Sequence, residues 1–327
     1  MKKKLGFLDR DMNITGFALL FLILLQVLLA YSIYYIIAVS GGHQITISGF
    51  APNQILKAAA EIKSAVSGIS WAMPIALLFV TLFGDLIPFL ICAKLTKMKM
   101  SGIFARPQLK PSYILAFGTI GIGASLFASL FVRALSQLLK VSGFKLVTPA
   151  FNIPKNSTIG AAALIFSVVV VAPIAEEFIF RGVLLNYFKR YGEVFAVIAS
   201  SLTWAILHMN LVQGIPVFFM GLFFGIIALK ARSIIPTILI HSINNAFSLA
   251  DSAAVSSHNY ILILIAGLIV ISVLIAAIAL LIIFFKPLTE HRKGGSKHGF
   301  TALFTCAPYL IYILICIAVT ASTIKPI

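Results

Sequence analysis

The apolar stretch VVVVAPIAEEFIFRG is interrupted by two adjacent carboxylates, Glu176 and Glu177, and by Arg181 one helical turn further on. Ionisable groups in hydrocarbon are costly, and where they occur they usually mark function. Of the nine acidic residues only Asp85, Glu176 and Glu177 fall within predicted spans, and of the six histidines only His208 and His241 do so. Asn244 and Asn245 follow His241 in the stretch ILIHSINNAF. A carboxylate, two imidazoles and an amide suit bond cleavage by water. Partial desolvation makes a glutamate a better general base, and a nearby histidine can hold the water or carry its proton. A second histidine and an asparagine can donate to the oxyanion as a tetrahedral intermediate develops. The same set, with His208, His241 and Glu176 as ligands, could instead bind a divalent metal such as zinc, so the cofactor is either that or none.

These groups need elements to carry them. The chain has 327 residues, of which 61% are hydrophobic and only 10% charged, a balance that excludes an ordinary soluble protein and points to a polytopic membrane protein. The net charge of +16 does not indicate a nucleic-acid partner, because the basic residues cluster between apolar runs, as topology and anionic headgroups require. Cys92, Cys306 and Cys316 form no C-x-x-C pair. The expectation is an all-α bundle of eight or nine spans, at 14–39, 66–93, 112–138, 158–181, 194–208, 213–231, 233–250, 260–285 and 299–321, with a cavity facing the cytoplasm. The whole is one integral membrane domain: N-terminal helices over 1–157, a catalytic core over 158–250, and C-terminal helices over 251–327. Eighteen of the 25 basic residues fall on one side if the N-terminus is cytoplasmic: Lys2, Lys3, Lys4, Arg10 and Arg181, with those in the loops carrying Lys94 to Lys110, Lys189 and Arg190, Lys230 and Arg232, and Lys286 to Lys297. The lysine-rich termini suggest a bacterial plasma membrane.

Helix geometry then places the polar side chains. Glu177 and Arg181 are four apart, acid first, the favoured order for a pair on one face. Glu176 is rotated about 100° from Glu177 and is free to face elsewhere. The chain is predicted to turn at Tyr191–Gly192; Glu176 lies 16 residues before Gly192 and His208 lies 16 after it, which sets the two at one depth in an antiparallel hairpin. At about 1.5 Å per residue that depth is on the order of 10 Å below the cytoplasmic boundary. His241 and Asn245 share a face of the next helix to leave that side. Asn244, off that face, reads as a contact between helices. Asp85 and Arg133, which could pair, read as structural, and Gly221-x-x-x-Gly225 as a tight helix contact.

The triplet Glu176-Glu177-x-x-x-Arg181, Trp204-x-x-x-His208 and His241-x-x-x-Asn245 resembles the three signatures of the CPBP family, which includes the type II CAAX prenyl endopeptidases and the Abi-type bacteriocin-immunity membrane proteins. The resemblance covers about 158–250. It implies an intramembrane endopeptidase with Glu176 as base, His208 beside it, and His241 with Asn245 around the oxyanion, while Glu177, Arg181 and Trp204 support them. Trp204 stands where the second signature commonly has Phe. The substrate implied is a membrane-associated peptide or protein, with anionic lipids as partners of the basic loops. Two other readings compete: a proton-coupled transporter, against which the polar groups form one block without a repeated counterpart, and a catalytically silent Abi-type scaffold.

Overall fold

A computed structural model describes residues 2–45, 49, 51–100, 102–147, 153–289 and 297–327, and among them the chain is almost entirely helical. The helices are α1 (Lys2–Ser40), α2 (Pro52–Val66), α3 (Ala72–Leu95), α4 (Pro111–Val141), α5 (Thr158–Tyr191), α6 (Glu193–Leu207), α7 (Leu211–Ala231), α8 (Ile235–Ser256), α9 (Tyr260–Thr289), α10 (Lys297–Thr305) and α11 (Ala307–Ser322). Two short strands, β1 (Phe144–Leu146) and β2 (Ile324–Pro326), pair antiparallel with Lys145 opposite Lys325.

Six helices are long and apolar enough to cross a membrane, and the bent pair α10–α11 makes a seventh if it counts as one span. The eight or nine expected spans therefore shrink, and the two that drop out are those nearest the polar residues. Helix α6 has only 15 residues, and α8 carries His241, Asn244, Asn245 and Asp251, which dilute its apolar character. Each depends on neighbouring helices for shielding. Helix α6 has it: Phe195, Val197, Ser201, Thr203 and Trp204 are all buried.

The bundle packs α4 against α7 and α9, α7 against α6, and α1 against α3 and α11. Gly221 and Gly225 lie where α7 meets α6, and a Cβ at either would press on Ser201 or Val197, so the G-x-x-x-G packs as expected. Helix α5 contains two π-helical turns, over Ser167–Val171 and Phe178–Leu184, on either side of the segment with Glu176 and Glu177; α3 contains another over Val80–Asp85. Such turns are rare and concentrate at functional positions.

Loop contacts fix which ends of the helices lie together. The amide of Gln108 bonds to Ala231, that of Ile234 to Ile103, and Arg190 pairs with Asp11. The N-terminal helix and the loops around Lys99, Arg190 and Arg232 thus share one end. The β1–β2 pairing joins the loop after α4 to the C-terminal segment. The basic stretch with Arg292 and Lys293 lies outside the described residues.

Candidate functional site

Three helices bring the signature residues around the indole of Trp204. The reversal between α5 and α6 is made at Gly192, whose backbone at φ 124°, ψ 149° lies in territory almost reserved for glycine. Helix α6 then runs antiparallel to α5, and Trp204 Nε1 donates a 2.5 Å hydrogen bond to Glu176 Oε2. Depth symmetry about Gly192 points to His208 as the residue level with Glu176; the bonded partner lies one turn nearer the bend. The π-helical turn between them supplies the reason, because it packs more residues into each turn and lifts Glu176 toward the bend.

Glu176 and Glu177 divide as their rotation requires. Glu177 is fully buried and forms a 2.9 Å ion pair with Arg181 Nη1, as the spacing predicts. It also holds His241 Nδ1 at 3.2 Å from the same oxygen, so Glu177 bridges α5 and α8. His241 is buried in the bundle and bonds to the inward-facing carboxylate, Glu177, while its ring sits 5.3 Å from that of Trp204, the residue that bonds Glu176. Arg181 is as buried as its partner, lies 4.1 Å over the Trp204 ring, and donates from Nη2 to the Gly221 carbonyl at 3.3 Å. Glycine at 221 is what lets the guanidinium reach that backbone, since a Cβ there would stand 3.2 Å from Nη2.

His208 caps the C-terminal end of α6, is half-buried, and keeps Nδ1 3.0 Å from the Trp204 carbonyl; its ring lies 6.0 Å from the indole. The next helix starts two residues later, with Asn210 accepting from the amide of Gln213. Asn245 donates to the Val168 carbonyl at 3.0 Å, inside the first π-helical turn of α5, so one of its two N–H donors is committed to holding α8 on α5. Asn244 donates to Asn245 Oδ1 at 3.4 Å.

Sequence reasoning missed three supports. Asp85 does not pair with Arg133, which is exposed; its Oδ1 accepts a 2.6 Å bond from Gln26 on α1, and its π-helical turn packs against the segment carrying Glu176. Tyr309 and Tyr312, one turn apart on α11 and fully buried, clamp Thr203: the Tyr309 hydroxyl lies 2.7 Å from Thr203 Oγ1, and that of Tyr312 donates to the Thr203 carbonyl at 2.8 Å. Their polar heads in an apolar run are the available signal. Third, the indole N–H of Trp204 gives the second signature a donor that Phe lacks.

No three His, Cys, Asp or Glu side chains among the described residues converge as metal ligands do. Glu176, His208 and His241 are not such a group as placed; His241 is held by Nδ1 on Glu177, His208 by Nδ1 on the Trp204 carbonyl, and Glu176 by Oε2 on the indole.

Residues 158–247 match the family model described as type II CAAX prenyl endopeptidase Rce1-like. The match spans the three signatures and supports an endopeptidase of that type, consistent with the CPBP and CAAX protease family. No curated protein and no solved structure matches the chain.

Proposed function

We propose that the protein is an intramembrane endopeptidase that cleaves a membrane-associated peptide near the cytoplasmic face, with its N-terminus on that side of the plasma membrane. The observation that carries the reading is the split of the acidic pair: Glu177 is fully buried with Oε1 held by both Arg181 and His241, while Glu176 is half-buried and has one oxygen bonded to a single indole donor. A carboxylate so placed takes a proton from water, and the resulting hydroxide attacks the scissile carbonyl. His208, beside the same indole, orients that water, and Glu176 returns the proton to the departing amine as the C–N bond breaks, which restores the carboxylate. The second N–H of Asn245 is a donor available to the oxyanion, and His241 Nε2 joins it when the imidazole, held on Glu177 by its Nδ1–H, is doubly protonated. Glu177 fixes the imidazole of His241 through Nδ1, as second partners do for catalytic histidines.

The test is cleavage of a library of membrane-anchored peptides by purified protein, beside Glu176→Gln and His208→Ala variants that still fold. Each variant is expected to lose activity by about 10²–10⁴-fold, the usual weight of positioned acid–base catalysis. Full activity in Glu176→Gln overturns the assignment. Solute uptake without cleavage would make the protein a transporter instead, and neither activity would leave a scaffold.

A further inference from the structure

The end of the bundle that gathers the basic loops contains a cavity of about 260 Å³ that the proposed hydrolysis does not use; Glu176, Trp204, His208, His241 and Asn245 do not line it. Lys99, Arg181, Asn186, Lys189, Arg232 and Ser233 line it together with apolar side chains, and no acidic residue does. Its lining comes from three segments that are distant in sequence. Two of them are fastened together by the Gln108–Ala231 and Ile234–Ile103 backbone bonds, so the mouth is a fixed structure rather than a chance approach of surface chains.

Charge and burial are graded through the cavity. Lys99, Lys189 and Arg232 are exposed, whereas Arg181 and Ser233 are buried. Arg181 spends Nη1 on Glu177 and Nη2 on Gly221, but its Nε is buried without a partner. Neither Lys99 nor Arg232 has an acidic partner among the described residues, and the Lys189–Glu193 contact is long at 3.9 Å. Arg232 ends α7 with a left-handed backbone, φ 51° and ψ 35°, a conformation in which an arginine is unusual.

We infer that this cavity binds a phosphate group, of the kind carried by the headgroup of an anionic phospholipid. Phosphate offers several acceptor oxygens to donors that approach from different directions, and arginine forks match its geometry. The volume lies below the ~300–1,000 Å³ of pockets that hold drug-sized ligands, and it suits one small headgroup. Clusters of basic residues at the membrane boundary are where anionic headgroups concentrate. The cavity differs from a diffuse surface potential in being built from three segments, two of them fastened together, with the exposed basic side chains of Lys99, Lys189 and Arg232 and the buried Ser233 in one lining. Phosphate binding there is independent of the hydrolase reading.

Binding to the full-length protein in a phosphate-free, non-ionic detergent would be measured by titration with short-chain phosphatidylglycerol and, separately, with inorganic phosphate. The Lys99→Gln/Arg232→Gln double variant alters the exposed rim and leaves Arg181 in place. Lys94→Gln/Lys110→Gln removes the same charge from the same face outside the cavity. The rim variant is expected to weaken binding about tenfold or more per charge removed, the weight of one charge-assisted hydrogen bond. The control variant should stay within about threefold, the reach of screened surface charge. Binding of the lipid alone assigns a membrane headgroup; binding of inorganic phosphate as well assigns a general phosphate site. Equal weakening by the two variants, or no saturable binding of either probe, overturns the inference. So does displacement by a peptide with a free C-terminal carboxylate when phosphate itself fails to bind.

Discussion

Removing Arg181 isolates the energetics of the buried network, because its role in the fold does not depend on any catalytic assignment. Glu177 and Arg181 side chains are both wholly inaccessible and 2.9 Å apart. In Arg181→Met the new side chain keeps an apolar stem against Trp204 and Phe224, but Glu177 is left as a buried carboxylate facing only His241. Breaking a buried pair from one side costs about 3–5 kcal/mol. Loss of the guanidinium over the Trp204 ring adds up to about 2 kcal/mol when such an interaction is desolvated. Glu177→Gln should cost about 3–5 kcal/mol for the mirror-image reason, since Arg181 is then the uncompensated charge. The double variant buries two neutral side chains and is expected to be more stable than the sum of the singles predicts by about 3 kcal/mol, within the range of coupling seen for residues in one network. Unfolding free energies from denaturing-detergent titration of all four proteins give that coupling directly. Singles that add to within about 0.5 kcal/mol would refute the reasoning, because independent sites add that closely and a charged buried pair cannot.

Two further substitutions probe the elements that hold the site. Trp204→Phe retains the ring and removes the N–H that bonds Glu176 at 2.5 Å; the expected result is a folded enzyme with kcat reduced by about tenfold, the equivalent of one hydrogen bond to a charged group, and an unchanged kcat would show that the indole does not position the carboxylate. Gly192→Ala forces a Cβ into a φ of 124° at the α5–α6 reversal, which should lower stability by about 1–3 kcal/mol in the same titration, whereas a stable variant would mean that the bend relaxes without the glycine.

Much of this arrangement is legible in the sequence because helix periodicity and turn chemistry are local. The four-residue step from Glu177 to Arg181, the reversal at Gly192 and the close approach at Gly221 and Gly225 all follow from rules that look no further than a turn or two. Partners across helices are another matter. A period of 3.6 residues says that Glu176 and Glu177 point apart, but not that the inward one meets His241 or that the other meets Trp204. The π-helical turns on either side of the pair also alter the rotation and rise that an ideal helix predicts, and nothing in VVVVAPIAEEFIFRG announces them. Asp85 escapes sequence reasoning for a similar reason: Arg133 is the charge in a neighbouring run, while the true partner, Gln26, carries no charge to draw attention. Six or seven helices qualify as spans by length and composition where eight or nine are expected, and a window of apolar residues does not tell a helix that faces lipid from one wrapped by protein.

That last distinction explains why the polar residues sit where they do. Helix α9 exposes Ile261, Leu264, Ile275, Ile278 and Ile282, and needs to be long and uniformly apolar because lipid is its neighbour. Helix α6 is surrounded by α5, α7 and α11 and is freed from that demand, so it can be short and can contain Ser200, Ser201, Thr203 and Trp204 without exposing a polar group to hydrocarbon. Each hydroxyl is satisfied within the bundle: Ser200 and Ser201 donate to Val197, Thr203 to Ala199, and the Thr203 carbonyl takes the Tyr312 hydroxyl. The outer helices therefore do more than anchor the protein. By taking over contact with lipid they let α6 carry groups that no lipid-facing span could, and Trp204, apolar in its ring and polar at one nitrogen, is the residue type that can stand between the buried Arg181 and the half-buried Glu176.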